Sequence, residues 1–170
     1  MRRPPLLVVF VAVFVIALGA TTGALMSLLR PQIERYAQAR VIARPAIHGL
    51  AGSAEYDAEV VARTTFATEA GLSFLHTHAE GLAPLVLLAA SLVATFVGPA
   101  PARACLQALF ALGCLFPLAY LVYALAVLEL GRDAGIELVE RAILTPLGGA
   151  AILGFAALAI ALALRRRGPA

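Results

Sequence analysis

At 170 residues the chain has length for one domain, but 62% of it is apolar and only 14% is charged. Soluble domains are about half apolar and about a quarter charged, so a water-soluble globule of this composition would expose large greasy patches, and lipid is the natural solvent for the excess. The formal net charge of +3 comes from arginine alone, with no lysine, and the arginines stand singly except at the two ends. That leaves out the continuous basic surface of a nucleic-acid binder. The abundance of Ala, Leu, Arg and Gly points to a GC-rich bacterial genome.

The first apolar run is Leu6 to Leu29, preceded by Arg2-Arg3 and a Pro-Pro pair. It is longer than the 7–15 apolar residues of a typical signal peptide, and no cleavage site stands near Arg30, so an uncleaved membrane anchor is expected. Gly19 and Gly23 form a small-xxx-small pair, flanked by Ala20 and Ala24. Such a face lets a second helix approach closely, inside the bundle or in a homo-oligomer.

Residues 30–70 form the longest polar segment. From Arg30 to Arg44, Ile33, Tyr36, Ala37 and Val41 recur at helical spacing between charged residues. That predicts a short amphipathic helix lying near the interface. Pro45 and the Gly49–Ser53 stretch interrupt it. Ser53 is a suitable N-cap for a second short helix over Glu55–Arg63. The segment is too small to fold around a core of its own.

A second span is predicted over 71–97, its apolar part beginning at Leu82. Gly98-Pro99-Ala100-Pro101 ends it, because proline cannot continue a helix and restricts the residue before it. The third span, 104–130, carries Pro117 near its middle and should kink there. A charged loop over 131–145 leads to Pro146, in the first turn of a fourth span, 146–164, where its missing N–H costs little. Cys105 and Cys114 differ by about 900° around the third helix and about 13 Å along it, so they cannot bridge.

Arg2-Arg3 and Arg165-Arg166-Arg167 orient the bundle. Six arginines lie on the side of the termini and seven on the other, but charges beside span ends weigh most. A cytoplasmic N-terminus and C-terminus in the bacterial inner membrane are therefore expected. The expected fold is all-α: a single membrane domain, an up-down-up-down four-helix bundle with short amphipathic helices on its outer face between spans 1 and 2.

Chemistry is concentrated in Glu69-Ala70-Gly71-Leu72-Ser73-Phe74-Leu75-His76-Thr77-His78-Ala79-Glu80-Gly81, which holds two of the three histidines. At about 100° per residue, Glu69, Ser73, His76 and Glu80 share a stripe of roughly 60°. His76 and Glu80 are an i, i+4 pair. His78 points away, so on a helix the two histidines cannot ligate one ion. In an extended segment His76, His78 and Glu80 would face one way, a set suited to Zn or Cu. Imidazole is a common metal ligand that titrates near neutral pH. Ionisable groups at membrane depth are functional candidates, while at the interface His and Glu are simply hydrated.

The His-Thr-His pair three residues before Gly81, opening an apolar helix, resembles a group of uncharacterised small bacterial multi-pass membrane proteins. It is more distantly similar to the histidine-bearing helices of the NnrS and heme–copper oxidase subunit I groups. The resemblance covers ten to fifteen residues and implies that His76 or His78 ligates heme b. Those oxidases take a second axial histidine from another helix, whereas spans 1, 3 and 4 here contain none. A heme would need His48, Met26, an open axial position or a second protomer.

On the third span Gln107, Cys114 and Glu129 share one stripe, and Tyr120 and Tyr123 lie roughly opposite. Glu129 is expected at the level of the histidines, paired with His76 or Arg132. Cys114 reads as a small buried apolar residue, and His48 as a solvated loop histidine. There is no phosphate loop, nucleophile elbow or zinc-protease motif, and no internal repeat that would favour a transporter. The expectation is a small membrane protein, not evidently an enzyme, that binds a redox metal or heme through His76, His78 and Glu80. Glu69, Ser73 and Glu129 would be accessory residues, and the role electron transfer, metal handling or sensing. The competing expectation is an accessory subunit or assembly factor packed against a larger membrane complex.

Overall fold

A computed structural model describes residues 3–165; the expectations resting on Arg2, Arg166 and Arg167 fall outside them. The described residues are helical, with no strands. Helix α1 spans Leu6–Ile42, α2 Pro45–His48, α3 Ala54–Phe96, α4 Ala100–Gly113, α5 Phe116–Leu130, α6 Arg132–Val139 and α7 Thr145–Arg165, with a π-helical segment Glu140–Leu144 between the last two. Four helical rods are long and apolar enough to cross a membrane: Leu6–Ile42, Ala54–Phe96, Ala100–Leu130 and Arg132–Arg165. Successive rods run antiparallel. We call the end that carries Leu6 and Arg165 proximal and the opposite end distal.

The membrane-spanning core is built from small residues. Val8, Ala12 and Val15 of α1 share a core with Ala79, Ala83, Val86, Ala90 and Val93 of α3, joined by Phe110 of α4, Cys114 just after it and Leu158 of α7. The spacing of three and four is that of a helix seam. Alanine and glycine bring the backbones close, which is how helices gain contact where lipid removes the hydrophobic driving force. Gln107 is the buried polar exception; its Nε2 donates to the Ala90 carbonyl at 2.8 Å. At the proximal end the last carbonyls of α3, which have no partner within the helix, are met by arginines. Arg103 donates to Val97 O at 3.2 Å and Arg165 to Phe96 O at 2.6 Å.

The distal half departs from the sequence expectation. Residues 30–70 are not a layer of short helices at the interface. The first span continues as one 37-residue helix through Pro31 to Ile42, and the second begins at Ala54 and runs 43 residues. At about 1.5 Å per residue these helices are roughly 55 and 64 Å long, against about 30 Å of hydrocarbon. The amphipathic pattern from Arg30 onward is real, but its apolar face is covered by protein rather than lipid: Ala37 and Val41 pack with Leu128 and Val61. Only α2 remains as a short element. Ser53 stands at the N-cap position of α3 without a side-chain bond; instead the Asp57 carboxylate accepts from the Ala51 and Gly52 amides at 2.8 and 3.0 Å.

The 131–145 loop is also absent. Gly131 alone, at φ 88°, turns α5 into α6. The fourth span follows without a break in the helical rod through the π segment. A widened turn there has a physical reason: Pro146 has no N–H, and its ring would crowd the carbonyl four residues back. Pro117 acts as expected. The third rod is interrupted at Cys114–Leu115, and Pro117 occupies the first turn of α5.

Candidate functional site

The histidines do not open a helix. His76 and His78 lie near the middle of α3, about twenty residues, or roughly 30 Å, from its proximal end. Measured from there, they stand at the distal edge of a typical hydrocarbon layer. The segment is helical throughout, so the extended arrangement of His76, His78 and Glu80 does not form.

His76 faces α1. Its Nδ1 lies 3.1 Å from the Gly19 carbonyl oxygen and 3.5 Å from Glu80 Oε1. A carbonyl can only accept, so Nδ1 carries the proton and Nε2 is the basic nitrogen. Gly23 makes room for the ring: a Cβ there would come within 2.5 Å of the His76 Cε1, and one at Gly19 within 2.4 Å of the Ala79 Cβ. The Gly19–Gly23 face is thus occupied by α3 of the same chain. Glu69 and Ser73, the other members of the stripe, also face α1. Glu69 pairs with Arg30 at 3.5 Å, and its second oxygen is buried without a hydrogen-bond partner.

His78 faces α5. Its Nδ1 lies 2.9 Å from the Phe74 carbonyl one turn back, which again leaves Nε2 basic. The ring sits among Tyr120, Phe116 and Phe74 at centroid distances of 5.0, 5.5 and 5.9 Å. Such spacings are typical of attractive aromatic pairs. Tyr123 extends the cluster toward Gly71, where a Cβ would meet its ring at 2.8 Å. Irregular backbone gathers near this level: α5 starts at Phe116, and a Cβ at Gly148, shortly after the π segment, would lie 3.1 Å from the Phe116 ring.

Among the described residues no three His, Cys, Asp or Glu side chains converge on a point where an ion could sit. Nor can His76 and His78 share one heme as its two axial ligands. The two histidines diverge, and Met26 is spent on a different cleft with Ser27 and Arg30.

Glu129 is not at the level of the histidines and pairs with neither His76 nor Arg132. It lies at the distal end, held by Arg40 through two hydrogen bonds of 2.9 and 3.0 Å and by Arg44. Arg132 pairs with its neighbour Asp133 instead. Because α1 continues past the apolar belt, Arg40 near its end and Arg44 just beyond it reach Glu129 at the end of α5.

His48 is not a solvated loop residue. It is only 8% exposed, its Nε2 lies 3.2 Å from the Leu128 carbonyl, and its Nδ1 is buried without a partner. Burial holds its imidazole below the usual histidine range; the bond to Leu128 opposes this, Arg44 reinforces it and Glu129 opposes it. A polar cleft of about 340 Å³ adjoins it, lined by Tyr56, Glu59, Arg63 and Arg132 among others. The sequence did hold a signal for the ion triad. Arg40 and Arg44 stand at i, i+4 in the amphipathic helix expected over 30–44, and a lone acid ending a long apolar run needs a cation nearby.

No protein-family model, no curated protein and no solved structure matches this chain.

Proposed function

We propose that the protein is a non-enzymatic subunit of a larger membrane assembly, set in the bacterial cytoplasmic membrane with both termini cytoplasmic. In this reading it lends His78, and secondarily His76, as half of a metal or cofactor site serving electron transfer, metal handling or sensing. One observation carries it. Each histidine has its Nδ1–H fixed on a backbone carbonyl, which orients the ring and leaves the Nε2 lone pair for a ligand, as in many metal-binding histidines. Among the described residues no further ligand converges on either histidine, so in this reading a second copy or a partner helix supplies the rest. The aromatic rings around His78 form an open surface on which such a helix can pack.

The test is purification from native membranes in mild detergent, followed by mass and elemental analysis. The expected particle is heavier than one 17.7 kDa chain and holds Cu, Zn or Fe in stoichiometric amount. That metal should be lost in His78→Ala, with His76→Ala as the comparison. A metal-free, monomeric particle sinks the proposal. A metal-free assembly leaves the second reading, an accessory or assembly subunit without a ligand of its own. The exposed Tyr36 and Tyr56 on the distal extension favour that reading, because lipid does not reach so far.

A further inference from the structure

We propose that the cleft between α1 and α3 at the distal rim of the apolar belt binds the headgroup of an aminophospholipid, a phosphoethanolamine carrying a primary ammonium. The cleft has a volume of about 550 Å³ and shares only Phe74 with the His78 cluster. Its polar groups are Arg30, Glu69, Ser27 and Ser73, and its apolar walls include Met26 and Phe74.

Three observations select the ligand. First, the charges are of both signs and adjacent. Arg30 and Glu69 are only 3.5 Å apart, with Arg30 largely exposed at 72% and Glu69 mostly buried at 17%. Second, Glu69 is incompletely satisfied. Its Oε1 is buried with no hydrogen-bond partner, and leaving a charged acceptor unpaired costs more than leaving a neutral one. A ligand ammonium carries three N–H donors, one of which that oxygen can accept. Third, the cleft sits where the apolar surface of α1 ends. Leu25, Leu28 and Leu29 are exposed just below Arg30, as they are down the helix at Phe14 and Phe10. A headgroup in the cleft therefore has its acyl chains beside an apolar helix surface, inside the bilayer.

The fit is specific in its chemistry. Arg30 at the rim takes the phosphate, with which guanidinium pairs well. Glu69 below takes the ammonium. Ser27 Oγ donates to the Gly23 carbonyl at 3.0 Å, so it offers only lone pairs, again suited to N–H donors. A phosphatidylglycerol has no cation for Glu69. A phosphatidylcholine has a cation of the right charge but no N–H, and its methyl groups cannot satisfy Oε1.

The experiment is native mass spectrometry of the delipidated full chain, titrated with phosphatidylethanolamine, its N-methyl and N,N-dimethyl forms, phosphatidylcholine and phosphatidylglycerol of matched acyl chains. One phosphatidylethanolamine should be retained, with affinity falling stepwise on methylation to roughly a tenfold loss at phosphatidylcholine. Glu69→Gln should flatten the series. Arg30→Gln should weaken every member about equally. The unmutated protein already decides the matter: a flat methylation series, or a preference for phosphatidylglycerol, overturns the proposal. Free phosphoethanolamine at millimolar concentration separates the sources. Failure to compete supports a membrane lipid, and full displacement of the lipid overturns it in favour of a soluble headgroup-like ligand. None of these outcomes depends on metal content or on His78.

Discussion

Gly113→Ala and Gly135→Ala are expected to lower the apparent melting temperature in detergent by about 3–10 °C, from an overpacking cost of roughly 1–3 kcal/mol. A Cβ at Gly113 would lie 2.7 Å from the Ala151 backbone N and Cα, and one at Gly135 would lie 2.6 Å from the Ala126 carbonyl group. The obstacle in both cases is backbone, so no rotamer change relieves it and the helices must separate. These are the contacts of α4 with α7 and of α5 with α6, which fix the second hairpin of the bundle. Gly81 and Gly149 provide the control. A Cβ at either meets nothing within 4 Å, and alanine is the better helix former by up to about 1 kcal/mol. Gly81→Ala and Gly149→Ala should therefore melt at or above the parent. Equal melting of all four variants would show that the helix pairs are not packed as described.

Acidification should loosen the distal end before the membrane-spanning part. The folded protein favours neutral His48, because burial holds its proton affinity down. The unfolded chain takes up a proton near the ordinary histidine pKa of about 6.5. Between the two values the unfolded state binds more protons, so stability rises with pH. The contribution is therefore complete above about pH 6.5 and is lost as pH falls through the lower folded value. The groups that face or adjoin His48 are Arg44 and Glu129, with Glu59, Arg63, Arg132 and Asp133 around the neighbouring cleft. Amide exchange over residues 41–64 should accelerate between pH 7.5 and 5, after correction for intrinsic rates. His48→Gln should abolish most of that dependence. It keeps a donor for the Leu128 carbonyl but does not titrate. An unchanged pH response in that variant would place the titrating group elsewhere.

The candidate residues were unevenly legible in the sequence. The stripe of Glu69, Ser73, His76 and Glu80 followed from helical periodicity alone, and its first three members do face one neighbour, α1. The divergence of His76 and His78 followed from the same arithmetic. What periodicity could not supply was the neighbour itself. Nothing local distinguishes a Glu129 that meets His76 from one that meets Arg40 and Arg44, since the answer depends on how far α1 travels. His48 was misread for a related reason. Flanking Gly49 made it look like loop, yet the ring packs at the end of α5, its Nε2 against the Leu128 carbonyl.

By itself the sequence determined four helical rods long and apolar enough to cross a membrane. The cause is local: each backbone in lipid must satisfy its own hydrogen bonds, so about 20 apolar residues in a row become a helix wherever they stand. It did not determine where those helices stop. A polar amphipathic stretch such as Arg30–Arg44 is stable lying on a membrane or standing above one, provided that its apolar face is covered. Only the tertiary structure decided between them. Ala37 and Val41 found Val61 and Leu128, Arg40 and Arg44 found Glu129, and the bundle rose roughly 18 Å past Arg30.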